Sequence, residues 1–139
     1  APQVGFAHLQ PLLDAYRDER SVQGLDGGRL TISRGVAFGA DRDTAIAGAT
    51  ESAKASYRMY STWNMQEDTM VKINIDDDSS VADWAVAGNG GDCVEGFSRL
   101  AKQGIDYVGA TFYNLPKGLE ARQEYLQRFG EDVIKRMPA

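Results

Sequence analysis

The stretch Val86-Ala87-Gly88-Asn89-Gly90-Gly91-Asp92-Cys93-Val94-Glu95-Gly96-Phe97, continuing through Gln103 to Gly104-Ile105-Asp106-Tyr107-Val108, decides how the rest of the chain is read. Three glycines among Gly88, Asn89, Gly90 and Gly91 make a turn. Val94, Phe97, Leu100 and Ala101 then recur at the spacing of one helical face. Gly104 stands where a left-handed C-terminal cap is wanted. Ile105 to Tyr113 is apolar and rich in aromatic and β-branched residues, the pattern of a strand covered on both faces. A helix that leads into such a strand is the αβ half of a parallel βαβ unit. The helix then runs antiparallel to the strands, and the glycine turn lies at their C-terminal edge, where α/β folds place ligands. Glycine backbone lets a ligand come close, and a helix start offers free N–H groups. Gly88, Asn89, Gly90 and Gly91 are therefore candidate cofactor contacts. The alternative is a plain helix-entry turn, which Asp92 favours because its carboxylate would already use the helix's positive end.

Outward from this stretch, Leu30 to Phe38 reads as a second strand. Leu30, Ile32, Val36 and Phe38 share one side, and Thr31, Ser33, Gly35, Ala37 and Gly39 share the other. Large and small faces of this kind fit a barrel strand whose large side packs on helices and whose small side looks inward. Arg34 interrupts the large face, and a charge there needs an ion-pair partner or an anion or cofactor to contact. Arg42 to about Trp63 is an alanine-rich helix with a stripe at Ile46, Ala49, Ala53, Tyr57 and Tyr60. Tyr57, Tyr60 and Trp63 read as packing aromatics rather than a box for a ring. Upstream, Leu9, Leu12, Leu13 and Tyr16 mark a helix from about Pro11 to Arg20, and His8 reads as a surface or turn residue.

Residues 64 to 87 form a lid-like insertion: polar, weakly patterned, with a short alternating run at Val71, Ile73 and Ile75. Asp76-Asp77-Asp78-Ser79-Ser80 lacks the glycine and glutamate of a calcium loop and reads as a solvated turn. It caps a helix carrying Val81, Trp84 and Ala85. Leu119 to about Met137 is a last helix, with its face at Leu119, Leu126, Phe129, Val133 and Met137.

At 139 residues the chain amounts to one domain, and 42% apolar residues can fill a core. A net charge of -5 argues against nucleic acid or an anionic membrane as partner. No apolar run reaches membrane-spanning length. One cysteine suits a reducing cytoplasm, and one histidine leaves no Cys/His set for a metal. No catalytic residue is legible.

Gly88-Asn89-Gly90-Gly91-Asp92-Cys93-Val94, then Gly104-Ile105-Asp106-Tyr107-Val108, then a closing helix with Phe129, Asp132, Val133 and Ile134, resembles the C-terminal end of luciferase-like flavin monooxygenases. Gly90 stands where that family's turn has proline. The resemblance implies an α/β fold that is the C-terminal part of a (β/α)8 TIM barrel: the last two βα units, a preceding helix and a lid over the flavin pocket. It implies an oxidoreductase acting on a small organic substrate with reduced FMN and O2, or, on the same barrel, a deazaflavin-dependent hydride transferase. A non-catalytic α/β binding or assembly module is the reading from another class. Two strands with open edges do not finish a sheet. The remainder of the barrel, or another copy of the chain in a homo-oligomer, is therefore the expected partner, and the isolated chain is expected to be inactive and unstable as a monomer.

Overall fold

The computed structural model describes residues 5–25, 28–62 and 79–138. It is an α/β chain with three parallel strands and helices on both faces of the sheet. In order these are α1 (Phe6–Val22), β1 (Thr31–Phe38), α2 (Arg42–Thr62), α3 (Ser79–Trp84), β2 (Val86–Gly88), α4 (Gly90–Lys102), β3 (Tyr107–Phe112) and α5 (Leu119–Asp132), with a 3-10 turn at Ile134–Arg136.

Strand β1 lies in the middle, and the sheet order is β2-β1-β3. Thr31 to Val36 pair in parallel with Tyr107 to Phe112, so the two strands read from the sequence are neighbours. On the other side Val36, Ala37 and Phe38 pair with Val86, Ala87 and Gly88. Val86 and Ala87, read above as the approach to a turn, are thus a strand. Three residues are too few to display a period, but both are buried against β1. The C-terminal part of the segment read as a lid is therefore core: Val81, Trp84, Ala85, Val86 and Ala87 are all buried. The Val71–Ile75 run and the triple aspartate Asp76-Asp77-Asp78 lie outside the described residues.

The pleat of β1 divides the core. Val36 and Phe38 join Leu9 and Leu13 of α1, Val86, Cys93 and Leu100 of α4, Ile105, Phe129 of α5 and Val133. On the opposite face Ala37 joins Ala45, Ala49 and Ala53 of α2, Val81 and Trp84 of α3, Ala87 and Tyr113. The small face of β1, expected to look into an open interior, instead carries α2 and α3. The reason is volume: a face built of Gly35, Ala37 and Ala87 lets the alanine stripe of α2 come close enough to exclude water. Beyond it, Tyr107, Gly109 and Thr111 of β3 remain exposed.

Several helical faces are turned from their expected positions. On α4 the buried residues are Gly90, Cys93, Gly96 and Leu100; Val94 and Phe97 are half-buried and Ala101 is exposed. Gly96 has no side chain because Val86 Cγ1 lies 2.9 Å from where its Cβ would be. On α5, Phe129 is buried but Leu119 and Leu126 are exposed, and the helix gives way to the 3-10 turn before Met137. Helix α1 begins at Phe6, ahead of Pro11; its Leu9 and Leu13 are buried while Leu12 and Tyr16 face water. Gly104 takes φ +78, the left-handed cap its place predicts.

The tightest contact sits under β1. Trp84 lies edge-on to Tyr113, with ring centroids 5.1 Å apart. A Cβ on Gly35 would fall 2.2 Å from Trp84 Cζ3. Gly35→Ala is therefore expected to lower stability by about 1–3 kcal/mol or more through overpacking. Urea unfolding of the two proteins measures it, and equal midpoints would mean that Trp84 does not occupy this place.

Candidate functional site

The C-terminal edge of the sheet is built from the ends of β1, β2 and β3 and the residues after them. Gly88 closes β2 at φ +130, a conformation suited to glycine, and its carbonyl accepts from Gly39 N at 2.9 Å. Asn89 then caps α4. Its Oδ1 accepts from Gly91 N at 2.8 Å and Asp92 N at 3.2 Å, and Asp92 Oδ2 accepts from Asn89 N at 3.0 Å. This is a reciprocal capping box. The helix start expected to offer free N–H groups has thus already spent two of them on its own side chain.

Each glycine of the turn has a distinct reason. A Cβ on Gly88 would lie 2.3 Å from Asp92 Oδ2, and one on Gly90 would lie 2.7 Å from Asp132 O at the end of α5. Gly90 is buried in that contact, whereas Gly91 and Asn89 are exposed. A Cβ on Gly91 would meet only Asn89 Oδ1, at 3.2 Å. Gly88 and Gly90 are therefore required by packing, and Gly91 is the glycine of the turn with a free outer side.

Next to the turn, β1 and β3 are locked together at their ends. Tyr125 Oη accepts from Phe38 N at 3.2 Å and donates to Asn114 Oδ1 at 2.7 Å. Asn114 Nδ2 donates in turn to Phe38 O at 2.8 Å. Burial pushes the Tyr125 phenol up to about 12, so it stays a neutral donor. Tyr125, Asn114 and Arg42 were not singled out from the sequence. The only signal was a Tyr-Asn pair directly after a strand.

Arg34 is not part of this edge. It lies in β1, four residues before Phe38, the partner of Gly88; at about 3.3 Å per residue that is roughly 13 Å away. The side chain is buried, with its guanidinium 3.9 Å from the centre of the Phe6 ring. Arg99 approaches the same ring at 4.6 Å. Burial first, and then the charge of Arg99, brings Arg34 down to about 10, so it remains a cation at neutral pH. The Phe6 ring, on a helix far away in the chain, is one contact of this buried cation. The structure brings Gly88, Asn89, Gly90 and Gly91 together and leaves Arg34 apart. Of His8, Tyr57 and Tyr60 only the helical backbone is described, and Trp63 lies outside the described residues.

Two adjoining hollows open beside β2, of about 140 and 440 Å³. Both are lined by Phe6, Arg42 and Arg99. Arg42 Nη1 donates to Ala87 O at 3.3 Å. Among the described residues no group of three His, Cys, Asp or Glu side chains could hold a metal ion, and no helix is long and apolar enough to cross a membrane. The Cys93 thiol is wholly buried, with Sγ 3.7 Å from Gly88 O. Burial, reinforced by Asp92, pushes it up to about 12, so it is not a nucleophile at neutral pH. No protein-family model matches the chain, and no curated protein sequence matches it.

The thiol gives a pH test. Its folded pKa lies above the ordinary 9.0, so the stability that comes from holding it neutral is complete below about pH 9 and is lost as pH rises toward 12. Cys93→Ala is expected to be less stable than the native chain at pH 7, by about 1 kcal/mol for the small cavity. That gap should close above pH 9 and reverse by about pH 10.5, because the native chain loses about 1.4 kcal/mol per pH unit there. Urea midpoints at pH 7, 9 and 10.5 read it, and a gap constant across the series would contradict a buried neutral thiol.

Proposed function

We propose that this chain is the C-terminal part of a luciferase-like flavin-dependent oxidoreductase, whose remaining strands complete a (β/α)8 barrel. Reduced FMN together with O2 supplies the oxidising chemistry on a small organic substrate. The chain's own contribution is to bind and orient. The observation that carries this reading is the exposure of the residues Asn89 and Gly91 at the C-terminal edge of three parallel strands, the edge where such folds hold cofactors. The turn fits the flat ring better than the phosphate: Asn89 Oδ1 and the Asp92 carboxylate already occupy the helix start, while Gly91 leaves room for a plane to pack closely. The reading also makes a structural demand. In a complete barrel, α2 and α3 must leave the small face of β1 to make room for the interior.

A non-catalytic α/β binding module is the second reading, favoured by the fact that capping and packing account for Gly88 and Gly90 without a ligand. A deazaflavin-dependent hydride transfer remains the variant within the first, separable by turnover without oxygen.

Gly91→Ala discriminates between binding site and helix-entry turn because its new methyl group meets Asn89 Oδ1 alone, at 3.2 Å, a smaller intrusion than at Gly88 or Gly90. In the complete enzyme it is expected to weaken FMN binding about tenfold, with the melting temperature nearly unchanged. Gly90→Ala, driven against Asp132 O, should instead lower the melting temperature, at a cost of about 1–3 kcal/mol. Flavin fluorescence titration and thermal melts read both. Full flavin affinity in Gly91→Ala would reduce the turn to a structural one, and no flavin binding by the complete native protein would favour the non-catalytic module.

A further inference from the structure

We propose that the cleft beside β2, walled by Arg42 and Arg99 over the Phe6 ring, is a binding site for a phosphate-class oxyanion. This concerns the fold described above, with α2 and α3 on the small face of β1, and stands without the flavin reading. The two hollows share these three residues, and their combined space suits a small tetrahedral anion with part of the molecule that carries it. In a chain of net charge -5, two guanidinium groups reach one cleft from different elements, α2 and α4. The ion pairs among the described residues are Arg17–Asp14 and Lys54–Glu51, so neither wall of the cleft is neutralised by a carboxylate within 4.0 Å. Arg42 spends one N–H on Ala87 O, and Arg99 lies against Phe6. A third cation, Arg34, is buried beneath the same ring, and Arg99 acts on it as a like charge. An anion between the walls relieves that repulsion and engages two forks geometrically suited to phosphate oxygens.

The acids around the cleft set its character. Asp92 is committed to Asn89 N, while Asp83 and Glu95 are exposed on α3 and α4. These three carboxylates line the hollows beside two arginines, so binding depends on directed hydrogen bonds and not on a positive field. Gly5, the N-cap of α1, adds no side-chain cap, and the first turn of α1 has no acidic residue, which leaves Asp83 of α3 as the carboxylate lining that hollow among the described residues.

Isothermal titration of inorganic phosphate into the 139-residue chain, at fixed ionic strength and pH 7.5, tests the proposal. Native protein, Arg42→Gln, Arg99→Gln, Arg99→Lys and the control Lys117→Gln are compared, with circular dichroism confirming the fold of each. The expected result is saturable one-site binding with a Kd on the order of 1 mM. It should weaken about tenfold in Arg42→Gln and Arg99→Gln, as the loss of a charge-assisted pair of hydrogen bonds implies. Lys117→Gln should leave it unchanged. Arg99→Lys keeps the charge and loses the fork, and intermediate binding by it supports directed recognition. Arg42→Gln also removes the contact to Ala87 O; if it unfolds, the two Arg99 variants decide. Equal binding in all folded variants, or none in the native chain, would overturn the proposal.

Discussion

One constraint governs the molecule: β1 must be buried on both faces. Val36, Ala37 and Phe38 are all but inaccessible, and each of the two core clusters holds one side of this strand. Burial on both sides demands that every backbone group find its partner within the sheet and that the two side-chain layers differ in size. The large side takes the aromatic cluster, where Phe38, Phe112, Tyr125 and Phe129 meet edge to face at centroid distances of 4.9 to 5.6 Å. The small side takes the alanine helix and one indole. The Tyr125 hydroxyl joins the two schemes by completing the backbone hydrogen bonding where β1 runs out of sheet.

This constraint explains what the turn at Gly88–Gly91 does. The chain must leave β2 and enter α4 at once, and the helix must lie close to the end of α5. Asn89 and Asp92 satisfy the new helix start from within, and Gly90 permits the approach to Asp132. Once those demands are met, Gly91 is left outward, and any ligand contact of the turn is concentrated on that residue and its neighbour Asn89. A feature that begins as four equivalent candidates thus divides into two structural glycines and one exposed one.

Legibility followed the physics of each signal. The alternation through Leu30–Phe38 and the apolar run to Tyr113 were readable because long strands display their period, and Gly104 was readable because few residues tolerate positive φ. Strand β2 was not, since it is short and its burial comes from neighbours rather than pattern. The buried face of α4 was misphased because Cys93 and Gly96 carry burial on small side chains that an apolar stripe does not count. Leu119 and Leu126 satisfy the helical period yet point to water, because period alone does not say whether a sheet lies opposite. The contact of Arg34 with Phe6 was hidden altogether: a cation over a ring leaves no mark in spacing, and Phe6 lies on a separate helix. The pairing of Arg42 with Arg99 arises only when α2 and α4 are set on either side of β2.

Among the described residues no strand lies on the outer flank of β3, and this has a colloidal consequence. Tyr107-Val108-Gly109-Ala110-Thr111-Phe112 has no charge, no proline and no bulge to discourage a second strand from adding to it. What keeps chains apart is then the mutual repulsion of their surplus negative charge. With an isoelectric point near 4.8, mild acid removes that repulsion while leaving the edge intact. Acidification in this range favours strand-on-strand growth between otherwise folded molecules, and solubility is set by titration of surface carboxylates far from the surface that associates.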